Sequence, residues 1–542
     1  MKKIILFWAL LMSVNTVFAQ TSLPAIKPSI LDSIALSYCN PGEPGMAIGI
    51  VINGETVFKN SKGIADLTNN LQITDSSTFN IASVSKQFTA FLTLIAEKEG
   101  KFNLSDDIRQ YLPELKTLPH KITIQQLANH SHGLPNYSDL IEMIGFGLSS
   151  PLSNIQVVET LLNVKQVSFK PGTKYQYGNS GFILLAEILK RVYDKPFTVL
   201  MKEKVFDALK MTHTAIIDDP NTIVKNKANA YKKKGDSFTK FPSRQMESGS
   251  SNVYTTLNDM LKWAVYFQNP PEDDENRIRQ LSQSTISITK TGDLHYGLGL
   301  YTETYKGLKL IFHGGGTAGY RAYILHVPEH NFSIFTLGNK EGFDALHVIY
   351  DILDLYFDQH FEEPIREKIS PTKKELEAYA GTYRFQPGQY WGFNVENERL
   401  YFNGIDKPLS WVANSKFDFF LPLSNITFHP NSMEFRIGDM NYQCEKIEVN
   451  PPVLSLDELK VYEGIYKNEE FNIFYELLLK EDKLVAKHLT NGEIILNPLS
   501  ENSFYAEYPL GELNFKLSQN GEVKGFTLSG QNYNDITFVK VN

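Results

Sequence analysis

FHGGGTAGY, at Phe312–Tyr320, sets a histidine and three consecutive glycines between apolar segments. Such a run serves as a phosphate cradle, a metal-ligand loop, a plain turn or the wall of a covalent-catalysis site. A phosphate cradle continues into Lys-Ser/Thr and a helix; here the chain continues as Tyr320–His326 and then Phe332–Leu337, both strand-like, with Lys309–Phe312 before them. His313 has no histidine partner at i+2 or i+4. The pairs His130/His132 and His326/His330, the second broken by Pro328, lack the glutamate placement of a zinc-hydrolase helix. No metal site and no cofactor is expected. The glycines read instead as a strand edge along which an extended substrate lies flat, with the Gly316 N–H facing it.

Working outward, the chain up to about His360 alternates hairpins with amphipathic helices. Met46–Val51 and Thr56–Phe58 flank Asn53-Gly54, a favoured two-residue hairpin turn. Gln87–Lys98 carries Phe88, Phe91, Leu92 and Ile95 on one helical face and meets Gly100 at its end. Gly181–Val192 and Asn258–Phe267 repeat that periodicity. This predicts an α+β domain over residues 22–360, with an antiparallel sheet and helices. After a linker at 361–374 the texture changes. LEAYAGTY at Leu376–Tyr383 recurs as LKVYEGIY at Leu459–Tyr466, 83 residues later, and NERL at Asn397–Leu400 as EDKL at Glu481–Leu484, 84 later. Two copies at this spacing predict two related small β domains, 375–450 and 451–542, each an antiparallel barrel or curled sheet such as Ser432–Ile437 and Glu512–Leu517 would build. Neither copy clusters Ser, His, Asp or Lys at catalytic spacing.

The N-terminus reads as a secretory signal peptide over residues 1–19. Lys2 and Lys3 precede an apolar run from Ile4 to Met12, and Val17 and Ala19 offer a cleavage site before Gln20. A periplasmic or secreted protein is expected, with no stable membrane span. The 542 residues carry a formal net charge of −8 spread without blocks, which argues against a basic groove for nucleic acid. Cys39 and Cys444 are the only cysteines and form at most one disulfide.

NIASVSKQFTA, at Asn80–Ala90, supplies a partner for the glycines. Ser83 and Lys86, three apart at a helix start, project from one face. Serine needs a base, and a desolvated lysine with a lowered pKa serves as one. PGTKYQYGNSG, at Pro171–Gly181, adds Tyr177, whose proton leaves more easily beside an ammonium, and Asn179, an amide able to hold the lysine and meet a substrate backbone.

Ser83-Val84-Ser85-Lys86, Tyr177-Gly178-Asn179 and His313-Gly314-Gly315, in that order, resemble the three motifs of the serine β-lactamase and penicillin-binding protein superfamily, specifically the class C β-lactamase-related serine hydrolases. PGMAIGIVINGE at Pro44–Glu55, LANHSHGLPNY at Leu127–Tyr137, VYTTLNDMLKW at Val253–Trp263 and YGLGL at Tyr296–Leu300 match its flanking phrases, so the likeness covers about Ser37–Phe357. The C-terminal pair resembles the lipocalin-like β domains of some D-aminopeptidases. The resemblance implies a β-lactamase/transpeptidase-like domain with Ser83 as acylated nucleophile, Lys86 and Tyr177 as proton relay, and Asn179 orienting Lys86 and binding the substrate amide. It implies an oxyanion hole from the Ser83 and Gly316 N–H groups, with Gly314 and Gly315 lining the substrate. His313 takes the place of a lysine and Gly314 that of a threonine, which argues against efficient β-lactam hydrolysis; a histidine there can still donate to Tyr177 or to a substrate carboxylate.

The expected function is a secreted serine acyl hydrolase acting on small peptides or amides, including D-amino-acid-containing ones. A carboxylesterase, a weak β-lactamase or D,D-carboxypeptidase, and a non-catalytic penicillin-binding sensor remain the alternatives. The partner implied is a small-molecule or short-peptide substrate, and no oligomeric state is assigned.

Overall fold

The computed structural model describes residues 23–541 apart from 284–285, 289–293, 359–370, 406, 414, 420–423, 438–439 and 450. Residues 1–19, expected to be a signal peptide, and most of the expected linker lie outside the described residues. The first domain is built on an eight-stranded antiparallel sheet. In chain order its strands are β1 (Met46–Ile52), β2 (Glu55–Lys62), β3 (Ile286–Ser287), β4 (Leu294–Tyr296), β5 (Tyr301–Tyr305), β6 (Leu308–Thr317), β7 (Tyr320–Val327) and β8 (Phe332–Gly338). They are arranged β3-β4-β5-β6-β7-β8-β1-β2.

Both faces of this sheet are covered, and the alternation along β1 shows how. Met46, Ile48 and Ile50 join the core formed with helices α1 (Pro28–Ser37) and α5 (His347–Phe357). Ala47 and Val51 point into the opposite core, with α2 (Lys86–Lys98), α3 (Ser180–Tyr193) and α4 (Leu257–Gln268). Trp263 of α4 locks that layer: its ring lies 4.8 Å from Phe88 and 5.6 Å from Phe91, and its Nε1 donates to Gln87 Oε1 at 2.7 Å. Close packing of the two layers demands glycine within β1, since a Cβ at Gly49 would sit 2.8 Å from the Phe335 ring.

The three glycines of the opening stretch belong to the strand rather than to a turn after it. β6 runs unbroken through them and pairs with β7 from Ile311↔His326 to Thr317↔Tyr320. On its other side β5 ends opposite Phe312, the last register pair being Tyr301↔Phe312. The β5–β6 register therefore stops short of His313–Thr317.

The two sequence copies fold as two antiparallel β units that differ in closure. The second is a closed eight-stranded barrel over Gly464–Val541. The first is an eight-stranded sheet whose end strands are Arg399–Phe402 and Ser410–Ala413, brought together by a single bridge at Tyr401↔Pro408, so both copies meet the expectation of a barrel or curled sheet. Both dock on the first domain. From the barrel, Tyr475 donates to Met143 O at 2.9 Å, Asn532 Nδ2 to Asp139 Oδ2 at 2.8 Å, and Asn136 N to Asn532 O at 3.0 Å. The first copy pairs Arg436 with the buried Glu303 of β5, and joins the second through Arg384 and Tyr390, both on Glu512. Cys39 and Cys444 sit buried and free in separate domains. Among the described residues no helix is long and apolar enough to cross a membrane.

Candidate active site

The serine stands on a strained elbow. The short strand Thr78–Asn80 passes through Ile81 into Ala82, whose φ of +47° is left-handed, and then into a tight 3-10 turn, Ala82–Ser85, ahead of α2. Asn80 holds the bend: its Oδ1 accepts from Ala82 N at 2.8 Å while its Nδ2 donates to Asn252. β6 presses against this elbow at a glycine for steric reasons. A Cβ at Gly315 would lie 2.4 Å from Ile81 O and 3.2 Å from Ser83 N, so the strand can approach the serine only without a side chain there.

Lys86 is buried, and its three ammonium directions are all used. Nζ donates to Ser83 Oγ at 3.0 Å, to Asn179 Oδ1 at 2.8 Å and to Ser250 O at 3.1 Å. Burial pushes its pKa down to about 7, and the charge of Glu247 works against that fall. Its Nζ also lies 5.0 Å from the centroid of the Tyr177 ring, over the ring itself.

Glu247, six residues before the Val253–Trp263 phrase, completes the cluster and was not legible as a site residue. Its Oε2 accepts from Asn179 Nδ2 at 2.8 Å, and Ser250 Oγ lies 3.3 Å away. Burial raises its pKa, Lys86 being the largest opposing influence. The other amide hydrogen of Asn179 goes to Ser138 Oγ at 3.1 Å. Asn179 is thus oriented by Glu247 and Ser138 so that its oxygen faces Lys86. The expectation that it also offers its amide to a substrate meets a group whose two hydrogens are already engaged.

His313 departs further from expectation. It is 1% exposed, its Nδ1 donates to Gly314 O at 2.6 Å, and its Nε2 lies 3.0 Å from the Tyr296 hydroxyl. Burial and the nearby Lys86 charge hold its pKa at about 3, so it is neutral. Donation to Tyr177 or to a substrate carboxylate does not fit, because the one N–H of the neutral ring is spent on the Gly314 carbonyl. His130 is a second buried, neutral imidazole, packed 4.4 Å from the Tyr177 ring and 4.7 Å from Tyr296. In the sequence, His130 figures in a flanking phrase and in a histidine pair without zinc-hydrolase spacing; its packing on Tyr177 is what tertiary structure adds.

Ser83, Tyr177, Asn179, Glu247, His313 and Gly314–Gly316 all open onto one cavity of about 1410 Å³. Its far walls come from the β domains, including Phe385 and Tyr442 of the first and Asn532 of the second. The arrangement sets the Ser83 hydroxyl beside a buried lysine whose pKa lies at about 7, in a cavity that the glycines of β6 also line.

The beta-lactamase family matches residues 38–356, more than half the chain. The chain belongs to the beta-lactamase family. A D-aminopeptidase of Brucella anthropi is 27% identical over 326 residues, which is 60% of this chain and 61% of that protein; one of Brucella canis is 28% identical over 331 residues, 60% and 62% respectively. The match thus spans about three fifths of these curated relatives. Among solved structures, the octameric penicillin-binding protein homologue of Pyrococcus abyssi superposes with a TM-score of 0.56 at 17% identity, covering 95% of this chain and all of that one. The D-amino acid amidase of Ochrobactrum anthropi SV3, complexed with L-phenylalanine, gives 0.52 at 18% identity, covering 61% and 99%. At these identities the structures share the fold. Beta-lactamase-family membership accounts for the elbow, sheet and helical lobe of the first domain.

Because Glu247 supports the charge on Lys86, a Glu247→Gln variant carries a defined pH signature. Glutamine keeps an oxygen for Asn179 Nδ2 but removes the negative charge that raises the lysine pKa. His130, His313 and Tyr177 remain as the other titratable groups facing Lys86. The limb of the pH–rate profile that rises as Lys86 loses its proton is expected to move to lower pH, with kcat on the plateau reduced by no more than about tenfold. A limb that stays in place or moves upward would disprove this coupling.

Proposed function

We propose that the chain is a serine acyl hydrolase that cleaves small amides and short peptides, D-aminoacyl ones among them, through an acyl-Ser83 intermediate. The observation that carries the reading is the 3.0 Å contact between Ser83 Oγ and a fully buried Lys86 whose pKa burial lowers to about 7. The D-aminopeptidase relatives and the D-amino acid amidase fold support the substrate class.

In this reading Ser83 Oγ attacks the carbonyl carbon and its proton passes to neutral Lys86 Nζ. The negative oxygen faces the N–H groups of Ser83 and Gly316; one such donor contributes about 3 kcal/mol to the transition state. Lys86, with Tyr177 beside it, returns the proton to the leaving nitrogen and the C–N bond breaks. Water then attacks the ester, its proton taking the same route, and the acid and free Ser83 are released. Neutral His313 supplies no cation for a β-lactam carboxylate, which favours amides and peptides over β-lactams.

Incubation with a fluorophosphonate, followed by peptide mass spectrometry, is expected to place one adduct on Ser83. D-aminoacyl p-nitroanilides should be turned over faster than their L-enantiomers, with short-chain p-nitrophenyl esters as the comparison. A folded protein without an adduct on Ser83 would end the acyl-enzyme reading, and faster turnover of L-substrates would end the assigned stereochemical class.

A further inference from the structure

The first β domain carries an open aromatic layer that its sequence twin lacks. Its inward-facing residues form two tiers, each member of one lying two residues along the chain from a member of the other. Tyr383, Phe393, Leu400, Phe417, Phe435 and Cys444 are buried. Phe385, Trp391, Phe402, Phe419, Ile437 and Tyr442 are only half-buried. The rings of the second tier stack on one another. Trp391 lies 4.5 Å from Phe385 and 5.2 Å from Phe419, both nearly parallel, and Phe385 lies 4.6 Å from Tyr442.

The second copy shows that the fold does not require this tier to be aromatic. Register identifies the equivalents: Tyr383↔Trp391 corresponds to Tyr466↔Tyr475, and Phe393↔Phe402 to Leu477↔Ala486. Where the first copy has Phe385 the second has Asn468, buried and bonded to Thr537 O and Phe471 N. Where the first has Phe402 the second has Ala486, and Tyr475 in place of Trp391 is 1% exposed. The closed barrel fills and seals its upper tier; the sheet of the first copy leaves six large side chains half in the open. Three of them, Phe385, Ile437 and Tyr442, line the cavity that Ser83 and Gly314–Gly316 of β6 also line.

We infer that this tier is a specificity subsite that receives an aromatic side chain of the substrate whose carbonyl lies at Ser83. The inference rests on the serine hydrolase reading above and narrows it to substrates that reach from the β6 edge to the first β domain. Stacked, half-exposed rings offer a planar apolar group the face and edge contacts that water cannot supply. Continuity of one cavity from Ser83 to Phe385 and Tyr442 makes a substrate side chain, rather than a separate ligand, the occupant.

Boronic acids test the subsite and the parent reading separately, because boron accepts a lone pair from the serine oxygen in a reversible adduct. A series of phenylalkylboronic acids of increasing tether length is to be compared, each with its methyl-capped counterpart. At one tether length the phenyl compound is expected to bind about tenfold tighter than its counterpart, and in Phe385→Ala/Tyr442→Ala that advantage should shrink to about twofold or less. Methyl-capped compounds should bind both proteins alike and neither Ser83→Ala form. No phenyl advantage at any tether, or one that survives the double substitution, overturns the subsite while leaving the hydrolase reading intact. Failure of every boronate on the unsubstituted protein overturns the hydrolase reading. Should the double variant lose all boronates, tryptophan emission of the unsubstituted protein decides. A change with the phenyl compound that disappears in Trp391→Phe supports the subsite, and an unchanged emission rejects it.

Discussion

Ser83→Ala is expected to lower kcat for every amide and ester by about ten-thousandfold or more, with a melting temperature within about 2 °C of the parent. The first part follows from where the candidate nucleophiles point. Ser85, next along the elbow, is buried and its Oγ accepts from Val253 N at 3.2 Å, so it faces the protein interior. Ser250 Oγ turns toward Glu247. Ser251 lines the same cavity as Ser83, but no amine stands within hydrogen-bonding distance of its Oγ among the described residues. Ser83 alone joins exposure to the cavity with Lys86 at 3.0 Å. The second part follows from what the hydroxyl does for the fold. It accepts one bond from Lys86, which retains Asn179 Oδ1 and Ser250 O after the substitution. A net loss of about 1 kcal/mol or less is the ordinary worth of such a bond. Turnover within tenfold of the parent, measured on p-nitroanilides beside a thermal melt, would mean that another group attacks.

The meeting of Ser83 with Lys86 and the close approach of the glycine strand were legible because both depend on residue type at fixed spacing. Ser-x-x-Lys at a helix start puts both groups on one face, and consecutive glycines in a strand point to close approach by another backbone. The Gly315–Ile81 contact is the physical content of that pattern. Glu247 was invisible for the opposite reason. It lies 161 positions from Lys86 in a loop with no periodicity (247 − 86 = 161), and only the docking of that loop beneath Asn179 gives it a role. The charge state of His313 was hidden as well. A histidine beside glycines reads as an exposed polar aid, whereas β4 and β5 cover it with Tyr296 and Tyr301. The β repeat was legible through Leu376–Tyr383 and Leu459–Tyr466, since recurring apolar spacing survives divergence. The half-exposed aromatic tier of the first copy, against the buried tier of the second, was not, because it lies in single exchanges such as Phe385 for Asn468 and Phe402 for Ala486.

Replacing Lys86 by methionine separates the roles of the two relay groups and exposes the burden that Glu247 carries. Methionine fills the same unbranched channel without the amine. Acylation by a p-nitroanilide is expected to fall about a thousandfold, the size of a general-base contribution, and the rate limb near pH 7 set by Lys86 should disappear. Tyr177→Phe should cost less, since the Tyr177 ring lies beneath the lysine ammonium at 5.0 Å whereas Nζ itself touches Ser83 Oγ. Stability carries an independent sign. Burial raises the Glu247 pKa and the Lys86 charge opposes that rise, so loss of the lysine raises it further. A carboxyl with a raised folded pKa binds its proton more tightly folded than unfolded, which favours the folded state at low pH and less so as pH climbs above the unfolded carboxyl range. Melting curves of Lys86→Met at pH 5 and pH 8 should therefore show a larger drop on going to alkaline pH than the parent shows. A rate within tenfold of the parent would hand the base role to Tyr177. A drop equal to the parent's would mean that Glu247 does not feel the lysine across Asn179.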